Sequence, residues 1–218
     1  GPGTIEVARR RLKIGLHVII RPRAGDFLYT APEFEAMRRD LAFARRAGAD
    51  GVVFGLLNAD GTVDVPRTRA LIRAARPMSV TFHRAFDVAR DPYEALETLV
   101  ALGVDRILTS GQAASVPRGL AVIRELVRRA DNRLVVMPGA GITAKNFPHV
   151  LARSGAREFH VYVPARIDSR MCYRNPRVPM GGRVTDPEYV LTTTQAAGIR
   201  RLVDQARGPA AGRGPAPC

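Results

Sequence analysis

The sequence contains few of the residues that mark an exported, membrane-spanning or nucleotide-binding protein. Two cysteines and no tryptophan among 218 residues exclude a disulfide framework, and a cytoplasmic location is expected. No apolar run approaches the roughly 18 residues of a membrane helix, and residues 1–20 do not read as a signal peptide. No GxGxxG motif follows the first apolar segment, so we expect no nucleotide cofactor. The chain is predicted to be soluble, with no membrane partner.

Lysine is almost absent, although the formal net charge is +14. The lysines are Lys13 and Lys145, and the remaining cations are arginines, which are spread along the chain without a block of five like charges. A nucleic-acid surface usually combines clustered cations with aromatic side chains, and aromatic residues make up only 6% of this sequence. We therefore expect a solvated, arginine-rich surface and no nucleic-acid partner.

Repeated junctions between helical and strand-like patterns organise the chain. At Gly48, Gly103 and Gly155 a helical pattern ends, and a short apolar run of strand length follows each glycine. Two helix starts are equally clear, because Thr30 and Asp91 are each followed by proline and then, three residues after the cap, by glutamate. The hydrophobic content of 46% is enough to fill a core.

This alternation predicts six strands, near residues 15–21, 51–55, 78–83, 105–110, 134–138 and 157–162. Strands that alternate with helices form a parallel sheet. Polar residues gather at many strand ends, which favours an α/β fold of the (β/α)8 TIM-barrel type over a doubly wound sheet. Since eight strands are needed, we expect an incomplete barrel without its first two βα units, in one domain over residues 1–206. The Gly- and Pro-rich residues 207–218 are expected to be a disordered tail.

The carboxyl ends of barrel strands carry the functional site, and here they bring together arginines, a serine and glycine-rich turns. We predict that these residues bind a small anion through guanidinium groups and backbone N–H groups. The predicted anion-binding residues are Arg21, Arg23, Arg84, Ser110, Gly111, Gly139 and Gly141. The alternative for each arginine is a structural ion pair, with Asp26 or Asp87, and the alternative for the glycines of residues 139–141 is a tight turn.

Two histidines are candidates for proton transfer at the same strand ends. His83 is the stronger candidate, because imidazole titrates near neutral pH and Asp87 is close in sequence; His160 is the second. Alternation along the strand places His83 on the same face as Ser79 and Thr81, towards the barrel interior. The alternative is a structural histidine with satisfied hydrogen bonds. No set of residues has metal-ligand spacing, so the sequence does not define a metal site.

Six segments at these strand ends resemble the signature of the CutC family of copper homeostasis proteins. They are IIRPRAGDFLY at 19–29, VTFHRAFD at 80–87, LTSG at 108–111, MPGAGI at 137–142, EFH at 158–160 and YRN at 173–175. The resemblance runs from about residue 5 to 182 in the order of the family. It implies a cytosolic (β/α)8 barrel linked to copper tolerance or trafficking, so that copper is a ligand expected from the resemblance alone.

The chain departs from the family pattern in three places. The two opening strands, which carry cysteines proposed as Cu(I) ligands in animal members, are not visible here, so a copper site built on them is not expected. The stretch after His160 reads VYVPAR, where the family has a small residue followed by Ser-Ala-Arg. Ala140 takes the place of a family glycine, which is a mild change only if its φ is negative.

Three functional hypotheses follow. The first is a copper homeostasis protein that binds copper ions or acts indirectly. The second is a barrel enzyme acting on a small anionic or phosphorylated metabolite. The third is an inactive truncated product, because missing strands would leave unpaired sheet edges that a partner chain or a homo-oligomer would have to cover.

Overall fold

A computed structural model describes residues 1–175, 177–178 and 188–207, in which helices and strands alternate along most of the chain. The elements in chain order are α1 (Pro2–Arg11), β1 (His17–Ile19), α2 (Ala31–Arg46), β2 (Gly51–Phe54), α3 (Val65–Ala75), β3 (Ser79–Phe82), a 3₁₀ turn (Arg84–Val88), α4 (Pro92–Leu102), β4 (Arg106–Thr109), α5 (Val116–Ala130), β5 (Val135–Pro138), α6 (Phe147–Ser154), β6 (Pro164–Asp168), β7 (Val190–Thr194) and α7 (Ala196–Arg207).

Strands β1 to β5 form one parallel sheet in sequential order. Gly51 lies opposite both His17 and Ser79, whereas Arg106 at the start of β4 lies opposite Thr81, two residues into β3. Such a stagger between neighbours is what tilts strands around a barrel. The first five predicted strands are confirmed, and sequential parallel order agrees with the predicted incomplete TIM barrel.

Each strand divides its side chains between the helices and the barrel interior. Val52, Phe54, Val80 and Phe82 alternate along β2 and β3, are fully buried, and belong to the core cluster that also contains residues of α2, α3 and α4. Their neighbours face the other side of the sheet, where the polar strand residues lie. A second core cluster joins α5, α6 and α7.

The predicted helix boundaries are confirmed. Hydrogen bonds to capping side chains and glycines with positive φ set them. The Thr30 hydroxyl accepts the Glu33 N–H at 3.4 Å while the Glu33 carboxylate accepts the Thr30 N–H at 2.7 Å, a reciprocal capping box. Asp91 caps α4 by accepting the N–H groups of Tyr93 and Glu94. The three junction glycines all have positive φ, between 70° and 81°.

The sixth predicted strand, 157–162, is reduced to one bridging residue. His160 lies opposite Gly139 in parallel, and its N–H donates to Pro138 O at 2.8 Å. Regular pairing does not extend further, although Val161 and Val163 pack against the cluster of α5, α6 and α7 as residues of a strand would. A six-strand sheet was therefore wrong for the described residues, although the segment occupies the position of a sixth strand.

The carboxyl-terminal part adds an antiparallel pair that the sequence analysis did not predict. Strands β6 and β7 pair from Pro164 opposite Thr194 to Asp168 opposite Val190, and α7 follows. Arg207 is the last residue of α7, and the rest of the predicted tail, 208–218, lies outside the described residues. In the part of the chain that is described, no helix is both long and apolar enough to cross a membrane.

Candidate functional site

The predicted site residues follow the carboxyl ends of parallel strands, which meet at one edge of the sheet. Arg21 follows β1, His83 follows β3, Ser110 follows β4 and Gly139 follows β5. A direct contact links the ends of β3 and β4, since Arg84 Nη2 donates to Ser110 Oγ at 2.9 Å. We call this edge the barrel mouth.

His83 is held at the mouth in a buried, apolar setting. Its side chain is 5% exposed, and the Phe27 ring lies 4.9 Å away between centroids. The ring atom Nδ1 accepts the N–H of Ala85 at 3.2 Å, whereas Nε2 is buried without a hydrogen-bond partner among the described residues. Burial, and secondarily the charge of Arg21, lower the pKa of His83 to about 4, so the ring is neutral at pH 7.

Arg21 brings an uncompensated positive charge to the same place. Its Nη2 donates to Gly25 O at 2.7 Å, and its guanidinium lies 4.8 Å from the centre of the Phe27 ring. No carboxylate within the described ranges forms an ion pair with it, unlike Arg23. The nearby Tyr29 is 4% exposed. Burial raises the pKa of Tyr29, while the Arg21 charge opposes that shift.

Asp87 fills the anion cradle that the sequence predicts at the end of β4. Its carboxylate accepts the N–H groups of Ser110 at 2.9 Å and Gln112 at 3.2 Å. It also accepts the hydroxyls of Thr109 at 2.5 Å and Ser110 at 2.9 Å. Arg84 Nε donates to it at 2.6 Å, and the Asp87 side chain is 6% exposed. An internal carboxylate thus uses the donors expected for a ligand, and the ion-pair alternative for Arg84 is realised.

Gly111 has a packing role in the same turn. Its N–H donates to Thr109 Oγ1 at 2.8 Å, and its φ is +73°. A Cβ on Gly119 of α5 would lie 2.0 Å from Ser110 O, so the helix backbone approaches the turn as closely as two glycines allow.

Arg23 is fully engaged within its own loop. It donates to Glu33 Oε1 at 2.6 Å and to Asp26 Oδ1 at 2.8 Å, and it also reaches the carbonyls of Ala24, Asp26 and Leu28. The bond from Arg23 lowers the pKa of Asp26, and the pKa of Glu33 is lowered first by the Thr30 N–H and then by Arg23. Arg23 therefore shapes the loop after β1, as the ion-pair alternative predicts, and among the three predicted arginines Arg21 alone has no ion pair with a described residue.

The turn 139–141 has open backbone donors and a strained residue. The Gly139 N–H donates to Thr109 O at 2.9 Å, whereas the N–H groups of Ala140 and Gly141 find no acceptor in the described chain. A Cβ on Gly139 would lie 2.4 Å from Leu108 Cδ1 and 2.9 Å from His160 Cβ. Ala140 has φ +105°, so its replacement of a family glycine is not the mild change that a negative φ would allow.

His160 lies at the rim of the mouth beside Gly139. Its side chain is exposed, and partial desolvation lowers its pKa from the ordinary value. It is therefore neutral at pH 7 and open to solvent, in contrast to His83.

The sequence analysis missed an ion pair inside the barrel. Arg106 donates to Glu158 from Nε at 2.5 Å and from Nη2 at 3.0 Å, and its Nη1 reaches Ser79 Oγ at 3.2 Å and Thr81 Oγ1 at 3.4 Å. The signal was the alternation along β4, which puts Arg106 on the same face as Ser110. The pair ties β3 and β4 to the segment that carries His160.

Comparison with known proteins identifies the family. A model of the CutC family matches residues 1–164. The family protein CutC of Chromobacterium violaceum is 52% identical over 200 residues, which cover 92% of this chain and 81% of the relative. The copper homeostasis protein cutC homolog of Homo sapiens is 46% identical over 200 residues, covering 92% of this chain and 73% of the human protein.

The chain belongs to the CutC family. The resemblance found in the sequence motifs is thus confirmed.

Solved structures agree with this CutC assignment. The crystal structure of the copper homeostasis protein CutC from Streptococcus agalactiae matches with a TM-score of 0.71 and 32% identity, covering 73% of this chain and 80% of that chain. The aldolase QR15 matches with a TM-score of 0.57 and 19% identity over 72% of this chain and 73% of its own, which shows a shared fold alone. The barrel class predicted from the sequence is confirmed.

The described part of this CutC chain shows no cluster of three or more histidine, cysteine, aspartate or glutamate side chains placed to hold a metal. Met37 and Met78 are buried in the core. Met171 and Cys172 are adjacent and exposed, and they offer the soft sulfur donors that Cu(I) prefers.

Proposed function

We propose that this CutC family member binds a small metabolite oxyanion, a carboxylate or a phosphate, at the barrel mouth. The observation that carries the proposal is that Arg21, a cation without an ion-pair partner among the described residues, and His83, whose buried Nε2 has no partner there either, both lie against the Phe27 ring, at 4.8 Å and 4.9 Å. A buried polar atom without a partner costs about 1–3 kcal/mol, so sites that retain one commonly satisfy it with a ligand.

Each residue predicted for the site except Arg23, which is engaged within its own loop, has a place in this proposal. Arg21 supplies the charge, and His83 supplies a polar contact. Asp87, Arg84, Ser110 and Gly111 form a wall in which the Arg84 charge is paired with Asp87 and the N–H groups of Ser110 and Gly111 are already used. The open N–H groups of the turn 139–141, with Gly139 and Gly141, extend the donor surface towards His160. If the ligand undergoes a reaction, the exposed and neutral His160 is the group placed to accept a proton.

The experiment is isothermal titration of the protein with inorganic phosphate and with pyruvate, followed by the same titrations of Arg21→Met. Methionine keeps apolar contact with Phe27 but removes the charge. A charge-assisted hydrogen bond is worth about 1.5–3 kcal/mol, so we expect affinity for the bound probe to fall about 10- to 100-fold. The exposed Arg69→Met on α3 is the matched control and should bind as the natural chain does. Failure of both probes to bind, or equal binding by Arg21→Met, would contradict the proposal.

A second candidate is direct handling of copper, which the names of the human and mouse relatives suggest. The adjacent sulfur donors Met171 and Cys172 favour it. Anaerobic Cu(I) titration against a competing chelator should then show binding that is weakened in Cys172→Ser. Binding no tighter than that of an unrelated protein with matched cysteine and methionine content would remove this candidate.

We further propose that the protein acts in the cytoplasm, which its low cysteine content supports. Fractionation of cells expressing the protein, with a periplasmic marker as reference, tests this location.

A further inference from the structure

The hydrogen bonds of His83 determine which of its ring nitrogens carries the proton. The backbone N–H of Ala85 can only donate, and it points at Nδ1 at 3.2 Å. Nδ1 must therefore present its lone pair. In a neutral imidazole the proton then resides on Nε2, the atom without a partner.

The surroundings keep the ring in this orientation. A Cβ on Gly55 would lie 2.5 Å from Nδ1, which shows how closely the β2 backbone packs against this side of the ring. Phe27 covers the ring at 4.9 Å between centroids, and Phe82 lies 6.2 Å away. A ring flip would give up the Ala85 hydrogen bond inside this packing.

The surroundings also oppose protonation. The charged group that acts on His83 is Arg21, from the loop after β1, and its effect adds to that of burial. The charged groups in the 3₁₀ turn, Arg84 and Asp87, pair with each other and with Ser110 instead. From β2 the neighbour is a glycine, and Phe27 and Phe82 are apolar.

We infer that His83 is a neutral hydrogen-bond donor whose Nε2–H binds an oxygen atom of the oxyanion held by Arg21. The inference rests on the proposed function and narrows it. The ligand must place an acceptor oxygen, from a carboxylate, a phosphate or a carbonyl group beside one, between a guanidinium and an imidazole N–H. A copper ion does not fit this position, because Nε2 presents a proton rather than a lone pair and Arg21 repels a cation.

The same assignment changes the role predicted from the sequence. His83 was expected to transfer protons with the help of Asp87, but Asp87 is bound to the β4–α5 turn. A histidine that stays neutral and protonated at Nε2 polarises or positions an oxygen atom and does not take a proton from the ligand. His83 is therefore assigned to ligand binding.

The tautomer can be observed directly in ¹⁵N-histidine-labelled protein by long-range ¹H–¹⁵N correlation spectra. The His83 signals are assigned by their loss in His83→Gln. We expect Nδ1 to be of the unprotonated type and Nε2 of the protonated type from pH 8 to pH 5, and the Nε2 signal to shift when phosphate or pyruvate is added. A proton on Nδ1, or an imidazolium forming between pH 8 and pH 5, would overturn the inference.

Two variants of His83 test the role of its Nε2–H as a hydrogen-bond donor through their affinity for the probe. Glutamine can place an amide N–H near the position of Nε2, so His83→Gln should bind the probe within about threefold of the natural chain. His83→Leu, which has no donor, should bind at least about tenfold more weakly. Thermal unfolding of both variants establishes that they are folded.

The outcomes separate the inference from the proposed function. If the natural chain binds a probe and His83→Leu binds it equally well, the donor role is overturned while the anion site stands. If the natural chain binds neither probe, the proposed anion function fails, and the donor role fails with it, whatever the tautomer.

Discussion

At the residue scale, His83 couples the stability of the fold to pH. Its pKa is lowered to about 4 in the folded chain, from an ordinary value of 6.5, so the unfolded chain binds more protons between these values. The contribution of His83 to the free energy of unfolding is therefore fully present above pH 6.5. It is lost as the pH falls towards 4, by up to about 1.4 kcal/mol per pH unit.

Urea unfolding at pH 7 and pH 5 measures this effect. Because Gln does not titrate, the free energy of unfolding of His83→Gln should fall by about 2 kcal/mol less between the two pH values than that of the natural chain. His149→Gln on the exposed face of α6 is the control and should lose as much as the natural chain. Equal pH dependence of all three proteins would show that His83 is not buried as described.

Ala140 is a second residue with a local effect on stability, because its backbone conformation is strained. Its φ of +105° belongs to a region that glycine tolerates and a Cβ does not. Ala140→Gly should raise the free energy of unfolding by about 1 kcal/mol, because relief of strain outweighs the extra chain entropy of glycine. Ala121→Gly on the exposed face of α5 should instead lower it by about 0.5–1 kcal/mol. Destabilisation of both variants would contradict strain at Ala140.

At the element scale, the contact between α5 and the end of β4 depends on glycine. A Cβ on Gly119 would meet Ser110 O at 2.0 Å, and backbone cannot move aside as a flexible side chain can. Gly119→Ala should lower the free energy of unfolding by about 1–3 kcal/mol. Gly3→Ala in α1 meets no atom within 4 Å and should be neutral or slightly stabilising. Chemical denaturation of both variants tests the contact, and a neutral Gly119→Ala would refute it.

Helices and strands were predictable from sequence where nearby residues determine them. They were less predictable where pairing with a residue distant in sequence determines them. Capped helix starts and glycine junctions depend on residues within one turn, so α2 and α4 could be placed from sequence. Strand pairing around His160 depends on neighbours on both sides, and the described chain provides one, so the sixth strand was overestimated.

In the site, too, local patterns were predictable from sequence and contacts between distant residues were not. Strand alternation correctly placed Ser79 and Thr81 on one face, where both contact Arg106. The sequence could not show that Asp87 would fill the cradle at Ser110, because the two residues meet only through the stagger of β3 and β4. The pair of Arg106 with Glu158 spans 52 positions for a similar reason.

At the scale of the whole molecule, the described sheet ends at β1. Strand β1 pairs only with β2 among the described residues, and Ile19 on it is 61% exposed. An exposed edge with apolar side chains promotes association between chains, and a lysine on such an edge opposes it.

Ile19→Lys should therefore reduce concentration-dependent self-association, measured by light scattering or sedimentation velocity, with little change in stability because the side chain is already exposed. Val88→Lys, which replaces an equally exposed residue away from the edge, should associate as the natural chain does. If both lysine variants behave alike, net charge rather than the β1 edge controls association.

The carboxylate of Asp87 has a consequence for how the mouth can respond to its surroundings. Since this negative group is covalently part of the chain, the turn after β4 is ordered whether or not any solute is available. The anion that we propose would instead contact groups outside this turn, beginning with Arg21 and His83. The mouth is therefore asymmetric: the side at Ser110 is held by a carboxylate of the chain itself, whereas the side at Arg21 has no such counter-charge among the described residues.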